Sequence, residues 1–304
     1  MRTASENFAT ATRFFLLTTL EELGAKVRDQ FRQQIVSHAK TTRHDLVTVL
    51  DQQIQDELSE CLRHYLPGSS VFAEEDFAAV PLAELAEQFA AELTKATALW
   101  VVDPIDGTSN FVHGFPFFAI SVALWQQGQL TAAAVVNPVT GEAFSADLTG
   151  AYFAAGQQPE QRLDITAGRA EDTAALTTSH PAAEVLGSRA CEHLAVFAEL
   201  VSSFASVRRP ICASLELCYV AAGFSDATLA VDSKPWDAAA GALIAAQAGV
   251  PLVPYWYGAE SSLPGFAAPC YVAAAEDYPT LNRAAKTIAR IRAAELSQSE
   301  NETK

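Results

Sequence analysis

Asp103 and Asp106 stand three positions apart in Trp100-Val-Val-Asp103-Pro104-Ile105-Asp106-Gly107-Thr108-Ser109-Asn110-Phe111, at the exit of an apolar run. Two carboxylates directed into one space offer the hard oxygen ligands that divalent cations select. The Gly107-Thr108-Ser109 turn directly behind them presents backbone N–H groups that can cradle an anion such as phosphate. Metal carboxylates beside a phosphate cradle point to metal-assisted phosphoryl chemistry. Asp-Pro-x-Asp-Gly is also good turn chemistry in its own right. The motif alone therefore leaves a plain turn and a metal site both open.

Three other acidic segments sit where a metal centre would need them. Glu74, Glu75 and Asp76 end the short apolar segment Ser70-Val-Phe-Ala, a cluster that a solvated charge run would also explain. Asp237, in Lys234-Pro235-Trp236-Asp237, opens the Ala-rich segment 238–250 and is expected to be its helix N-cap. Asp45 and Asp51 lead into an acidic helix in Lys40-Thr-Thr-Arg-His-Asp45-Leu-Val-Thr48-Val-Leu-Asp51.

Taken together, Asp45-Leu-Val-Thr48-x-x-Asp51, Glu74-Glu75, Trp100-x-x-Asp103-Pro-Ile-Asp106-Gly-Thr108-x-Asn110-Phe111 and Trp236-Asp237 with Gly241 resemble the inositol monophosphatase family of magnesium-dependent, lithium-sensitive phosphatases. The continuation Val112-His113-Gly114-Phe115-Pro116 is similar to its inositol-phosphatase branch, and the resemblance runs from about residue 8 to about residue 290. It implies an α/β (mixed α+β) fold, a layered αβαβα sandwich of the inositol monophosphatase/fructose-1,6-bisphosphatase type. It also implies two to three Mg²⁺ per site. Glu74, Asp103 and the carbonyl of Ile105 would hold one; Asp103, Asp106 and Asp237 a second; Glu74 would face a third. Thr108, hydrogen-bonded to Asp51, would orient and deprotonate the attacking water. Asp106 and the amides of Gly107, Thr108 and Ser109 would bind the substrate. Glu75 is expected beside the site without a metal bond of its own.

The residue types suit that chemistry. Mg²⁺ takes octahedral oxygen ligands and keeps waters, which favours carboxylates and carbonyls over His or Cys. Direct attack by water needs no covalent intermediate, so the lack of a nucleophile motif is consistent. Small polyol or sugar phosphates, inositol 1-phosphate foremost, are the expected substrates. Histidinol phosphate, fructose bisphosphate and 3′-phosphoadenosine 5′-phosphate remain alternatives, and a non-catalytic binding or regulatory member is a second one. The departures from the family pattern fall on the leaving-group side. Ile211 stands where many members carry Gly, Ala230 where inositol-specific members carry Glu, and Ala73 where Gly is common. Cys212 and His113 are expected to be a buried thiol and a loop residue.

Composition sets outer bounds. The 304 residues are half apolar and 18% charged, enough for a sizeable core and too apolar for a disordered chain. A net charge of −16 argues against nucleic acid as partner, because phosphate backbones select basic surfaces. It leaves a small phosphate ester open, since bound cations reverse the local sign. The cysteines at 61, 191, 212, 218 and 270 have neither zinc-ligand spacing nor disulfide-rich density. With no run near the roughly 20 apolar residues of a membrane span, the expectation is a cytoplasmic protein, and the family habit implies a homodimer.

Helices are expected over residues 5–37 and 51–65, then short strands near 70–72 and 99–102, the latter stopped by Pro104. Strands at 117–126, 130–137, 143–146 and 151–154 form a meander. From about residue 173 strand and helix alternate, with helices at 192–204 and 212–223. The expected division is 1–158, carrying most metal ligands, and 159–304, carrying Asp237. The polar stretch 297–304 is expected to fray.

Overall fold

The computed structural model describes residues 2–33, 37–39, 46–156, 158–165, 167–187 and 189–302. Asp45 lies outside them. Among the described residues the chain forms five layers, as the resemblance implies. Helices α1 (Ala4–Gln30) and α2 (Val49–Tyr65) cover one face of a seven-stranded sheet. Its strand order is β3 (Ser70–Ala73), β4 (Ala98–Asp106), β5 (Ala119–Gln126), β6 (Gln129–Asn137), β7 (Glu142–Asp147), β8 (Gly150–Ala155), β9 (Gln161–Leu163). The opposite face packs on α7 (Ala213–Ala221) and α8 (Pro235–Gln247). Beyond them lies a five-stranded sheet, in the order β11 (Ser206–Arg208), β10 (Ala175–Thr178), β12 (Ala227–Val231), β14 (Cys270–Ala274), β13 (Leu252–Tyr255). Helices α6 (Ala190–Ser203) and α9 (Pro279–Glu302) close the outer face.

Burial on both faces explains the unbroken apolar reading of β4. Leu99 and Val101 enter the core shared with α7 and α8, while Trp100 and Val102 enter the core under α1 and α2. The meander from β4 to β9 is antiparallel throughout, and β3 alone joins it in parallel, with Ala73 beside Val102. That pairing delivers Glu74, the next residue, to the neighbourhood of Asp103. The central crossing of α7 and α8 depends on Gly241. A Cβ there would stand 2.6 Å from Leu217 Cβ, so only glycine permits the approach.

Several expected boundaries move. Helix α1 ends at Gln30, and residues 37–39 instead pair as β1 (Ser37–Ala39) with β2 (Leu46–Thr48). Strand β4 does not stop at Pro104; it continues to Asp106 through a register shift between Asp103 and Asp106. A proline is tolerated there because a bulge leaves its residue out of the ladder. Helix α9 runs to Glu302 rather than fraying from residue 297. Helix α4 (Leu82–Lys95), strands β13 and β14, and α9 itself go beyond the elements read from the sequence.

Candidate active site

The β4 bulge is what turns two spaced aspartates into neighbours. In a regular strand positions i and i+3 face opposite sides of the sheet. Here Asp103 pairs with Ser121 and Asp106 with Ala119, two residues apart on β5, so both aspartates share one face. It is the face that α7 and α8 cover, since Ala119 and Ala123 belong to that core. Ile105, in the bulge, faces the other core, and its N–H donates to Asp103 Oδ1 at 3.0 Å.

Gly107 then turns the chain with φ +86°, into α5 (Thr108–His113). A Cβ at that position would stand 3.2 Å from the carbonyl oxygens of both Ile211 and Phe117. As the first residues of a helix, Thr108 and Ser109 have N–H groups without intrahelical acceptors. The Thr108 hydroxyl lies 3.0 Å from Asp51 Oδ1 and 2.9 Å from the Ile105 carbonyl. Asp51 is fully buried and belongs to a capping box of α2, accepting the Thr48 N–H on Oδ2 at 2.9 Å. Burial pushes its carboxyl above the usual range, against the lowering effect of the Thr48 hydrogen bonds.

Asp237 enters from the facing helix. It is not the N-cap of α8. Lys234 holds that position, Pro235 follows it, and Asp237 is the third helical residue, accepting the Lys234 N–H at 2.8 Å. The helix starts earlier because proline suits its first turn and Asp237 caps backwards. The cap uses Asp237 Oδ2, and the residue also lines the cavity. Burial raises the Asp237 pKa to about 7, with Asp106 and Glu74 adding to the effect and Lys234 opposing it.

Glu74, Asp103, Ile105, Asp106 and Asp237 line one cavity of about 220 Å³, together with Gly107, Thr108 and Ser109. Every sequence-read site residue is there except Asp51, which sits behind Thr108. Burial holds the Asp103 carboxyl well above its ordinary range, and the charges of Glu74, Asp106 and Asp237 reinforce the shift. Four carboxylates on one dry space repel, and a cation among them offsets the repulsion. Among the described residues no three acidic, His or Cys side chains already stand as an assembled ligand cluster. Each aspartate is held by protein donors on one oxygen instead, which leaves its remaining acceptor sites for a cation. The donor set is all oxygen, so it fits Mg²⁺ rather than a thiolate- or imidazole-binding metal.

Two contributors escaped the sequence reading. Ser214, in the first turn of α7, donates its N–H (2.7 Å) and hydroxyl (2.6 Å) to Asp106 Oδ2. Cys212 Sγ lies 3.2 Å from the same oxygen, and burial raises its thiol well above the ordinary value, so it is a donor and not a nucleophile. Neither contact has a local signal, since more than a hundred residues separate the partners. His113 is not a loop residue as expected but the last residue of α5, bonded through Nδ1 to the Ser109 carbonyl one turn back.

Glu216 also lines the cavity, accepting the Cys212 N–H and the Thr228 hydroxyl, and burial raises its pKa from 4.5 to about 7. Between those values the folded protein holds a proton that the unfolded chain has released, so stability falls as pH rises from about 4.5 to 7. The contribution is up to about 3 kcal/mol by the size of the shift. Thermal melts of metal-free protein at pH 5 and pH 8 are expected to show a smaller gap in Glu216→Gln than in the parent. An equal gap would refute this placement of the charge.

Comparison with known proteins follows the same lines. The sequence profile of the inositol monophosphatase family matches residues 10–292. The chain belongs to the inositol monophosphatase family. Among curated relatives it is 34% identical over 218 residues to Nus factor SuhB of Pseudomonas aeruginosa, covering 72% of this chain and 75% of that one. It is 36% identical over 211 residues to the inositol-1-monophosphatase of Mycobacterium leprae, covering 69% of each. A solved IMPase/NADP phosphatase complexed with Mg²⁺ and phosphate shares the fold, with a TM-score of 0.70 and 22% identity over 93% of this chain and 95% of that chain.

Proposed function

We propose that the protein is a Mg²⁺-dependent phosphomonoesterase acting on a small polyol or sugar phosphate. The observation that carries this is the convergence of Glu74, Asp103, Asp106 and Asp237 on one cavity that also holds the Thr108–Asp51 pair and the Gly107 turn. Glu74, Asp103 and the Ile105 carbonyl would hold one Mg²⁺, Asp103, Asp106 and Asp237 a second, and Glu74 would face a third. Bound there, Mg²⁺ supplies charge stabilisation to the phosphoryl group and makes water a stronger nucleophile.

The protein's own part is positioning. The N–H groups of Gly107, Thr108 and Ser109 bind phosphate oxygens, as the open first turn of α5 allows. The Thr108 hydroxyl, anchored by Asp51 Oδ1, accepts a hydrogen bond from the attacking water while its own proton is held towards Asp51. A buried carboxylate with a raised pKa is a better base for that task than a surface one. Ser214 and Cys212 fix the Asp106 carboxylate so that it does not reorganise during the reaction. The relative named inositol-1-monophosphatase supports the substrate class, and the IMPase/NADP phosphatase bound to Mg²⁺ and phosphate supports the cation.

The same reading takes the working form to be a cytoplasmic homodimer. All five cysteines are free thiols, which suits a reducing compartment, and no helix among the described residues is long and apolar enough to cross a membrane. A second reading, a non-catalytic binding role, is favoured by the relative named as a Nus factor rather than as a phosphatase. Phosphate release from a panel of small phosphomonoesters, with Mg²⁺ and with EDTA, separates the two. Mg²⁺-dependent release is expected; silence across the whole panel would favour the binding role.

A further inference from the structure

Three parallel strands, β11, β10 and β12, point their carboxyl ends at the cavity, the usual place for a ligand in such a sheet. The residues just past those ends, Ile211, Ser179 and Asp232, line it beside the phosphate turn and its neighbours. Two of the three have left-handed backbone, Ile211 with φ 58° and Asp232 with φ 57°. Among the described residues only Arg32 and Gln127 share that conformation outside glycine, and neither lines the cavity. Gln127 has an ordinary reason, the Gln127-Gly128 hairpin turn between β5 and β6.

Ile211 has no such reason. A β-branched residue is among the least tolerant of left-handed backbone. The conformation is imposed from below. Asn110 Nδ2 donates to the carbonyls of Pro210 (2.6 Å) and Ile211 (3.1 Å), and the bare Gly107 backbone is pressed against the Ile211 oxygen. The side chain gains little packing in return, since the residue is 45% exposed. Glycine would satisfy the backbone at lower strain, so the sec-butyl group is kept for what it meets at the cavity mouth.

Asp232 is held differently. Arg292 of α9 grips its carboxylate with Nε at 3.1 Å from Oδ1 and Nη2 at 2.8 Å from Oδ2. The Tyr257 hydroxyl donates to Oδ1 at 2.8 Å, and the Ser233 N–H is tied to the Pro269 carbonyl. Three of about four acceptor sites on the carboxylate are thereby used, and its side chain remains 25% exposed. What is left is one acceptor position on a carboxylate that lines the cavity, its charge balanced by Arg292.

We propose that Ile211 and Asp232 select the leaving group, favouring the monophosphate of an alcohol that lays a hydrocarbon face on Ile211 and directs a hydroxyl or ammonium donor to Asp232. A second phosphate on the leaving group is disfavoured because the ion-paired Asp232 carboxylate offers it an acceptor and no donor, and a ring hydroxylated on every carbon is disfavoured by the apolar ledge. This rests on the phosphatase reading and narrows its substrate. It turns the departure at Ile211 from an anomaly into the specificity element of this chain.

The test compares kcat/KM with Mg²⁺ on four synthetic esters: the monophosphates of 4-aminocyclohexanol, cyclohexanol and myo-inositol, and the bisphosphate of 1,4-cyclohexanediol. The parent protein is expected to prefer the aminocyclohexyl ester and to disfavour the bisphosphate by roughly tenfold or more. Ile211→Gly should lower the ratio of cyclohexyl to inositol ester by roughly tenfold, through KM, with the melting temperature unchanged or higher. Asp232→Asn should lower the ratio of aminocyclohexyl to cyclohexyl ester by a similar factor. Unaltered ratios in both variants, or a parent preference for the bisphosphate, would overturn the proposal while leaving the phosphatase reading intact. No release from any ester would remove that reading and this inference with it.

Discussion

Asp103→Asn is expected to reduce Mg²⁺-dependent phosphate release by about a thousandfold, the scale seen when a preorganised charge is removed from a transition state. The substitution keeps the shape of the side chain and an oxygen for the Ile105 N–H, so the β4 bulge should persist. What it removes is the charge at the centre of the carboxylate group. Asp103 lines one cavity with Glu74, Asp106 and Asp237, and burial first, then the charges of those three, push its carboxyl well above the ordinary range. That geometry gives a second, independent expectation. Without metal, the variant should melt at or above the parent temperature, because an uncompensated buried charge has been removed. With Mg²⁺ in excess, the parent should gain several degrees by mass action and the variant little. Parallel melts and turnover assays check both halves. Full turnover in the variant would end the metal assignment, whereas a variant that loses activity and also melts far lower without Mg²⁺ would mean that Asp103 is structural.

How much of this could be read from the chain depends on sequence separation. The β4 motif is contiguous, so its two aspartates, its glycine and its threonine announced themselves together. Asp51 and Asp237 were found through the family resemblance although each also caps a helix, in both cases through Oδ2. The bulge was invisible, since a register shift is a relation between β4 and β5 and not a property of either. The sequence suggested that Pro104 ends the strand; the physical answer is that an extra residue re-aims Asp106 and the strand goes on. Ser214 and Cys212 were missed for the same reason: they start α7, and their partner, Asp106, ends β4 more than a hundred residues earlier. Helix α4 was legible in principle: Leu82, Leu85, Phe89 and Leu93 recur at helical spacing, and Leu85 and Phe89 are its buried residues. At Ile211 the chain showed an unusual residue for a glycine position, and its φ of 58° supplies the strain that makes it informative.

Removing the Thr108 hydroxyl with Thr108→Val is expected to lower kcat about a hundredfold with little change in KM, the usual reach of acid–base assistance. Valine matches the shape, so the buried α5 start should hold, and the loss should be chemical. Asp51→Asn should produce a loss of similar size. It also weakens the capping box of α2, so its melting temperature should drop by an amount corresponding to about 1 kcal/mol. The decisive variant is the double one. If Asp51 acts on the water only through the Thr108 hydroxyl at 3.0 Å, the second substitution has nothing further to remove. The double variant should then be about as slow as either single one, a strongly non-additive cycle. Losses that multiply would mean that Asp51 and Thr108 contribute separately, Asp51 through the fold of α2 and Thr108 through its bond to the Ile105 carbonyl. The melting data tell these apart, because a purely structural Asp51 would lose activity in step with stability, and a positioning one would lose far more activity than stability.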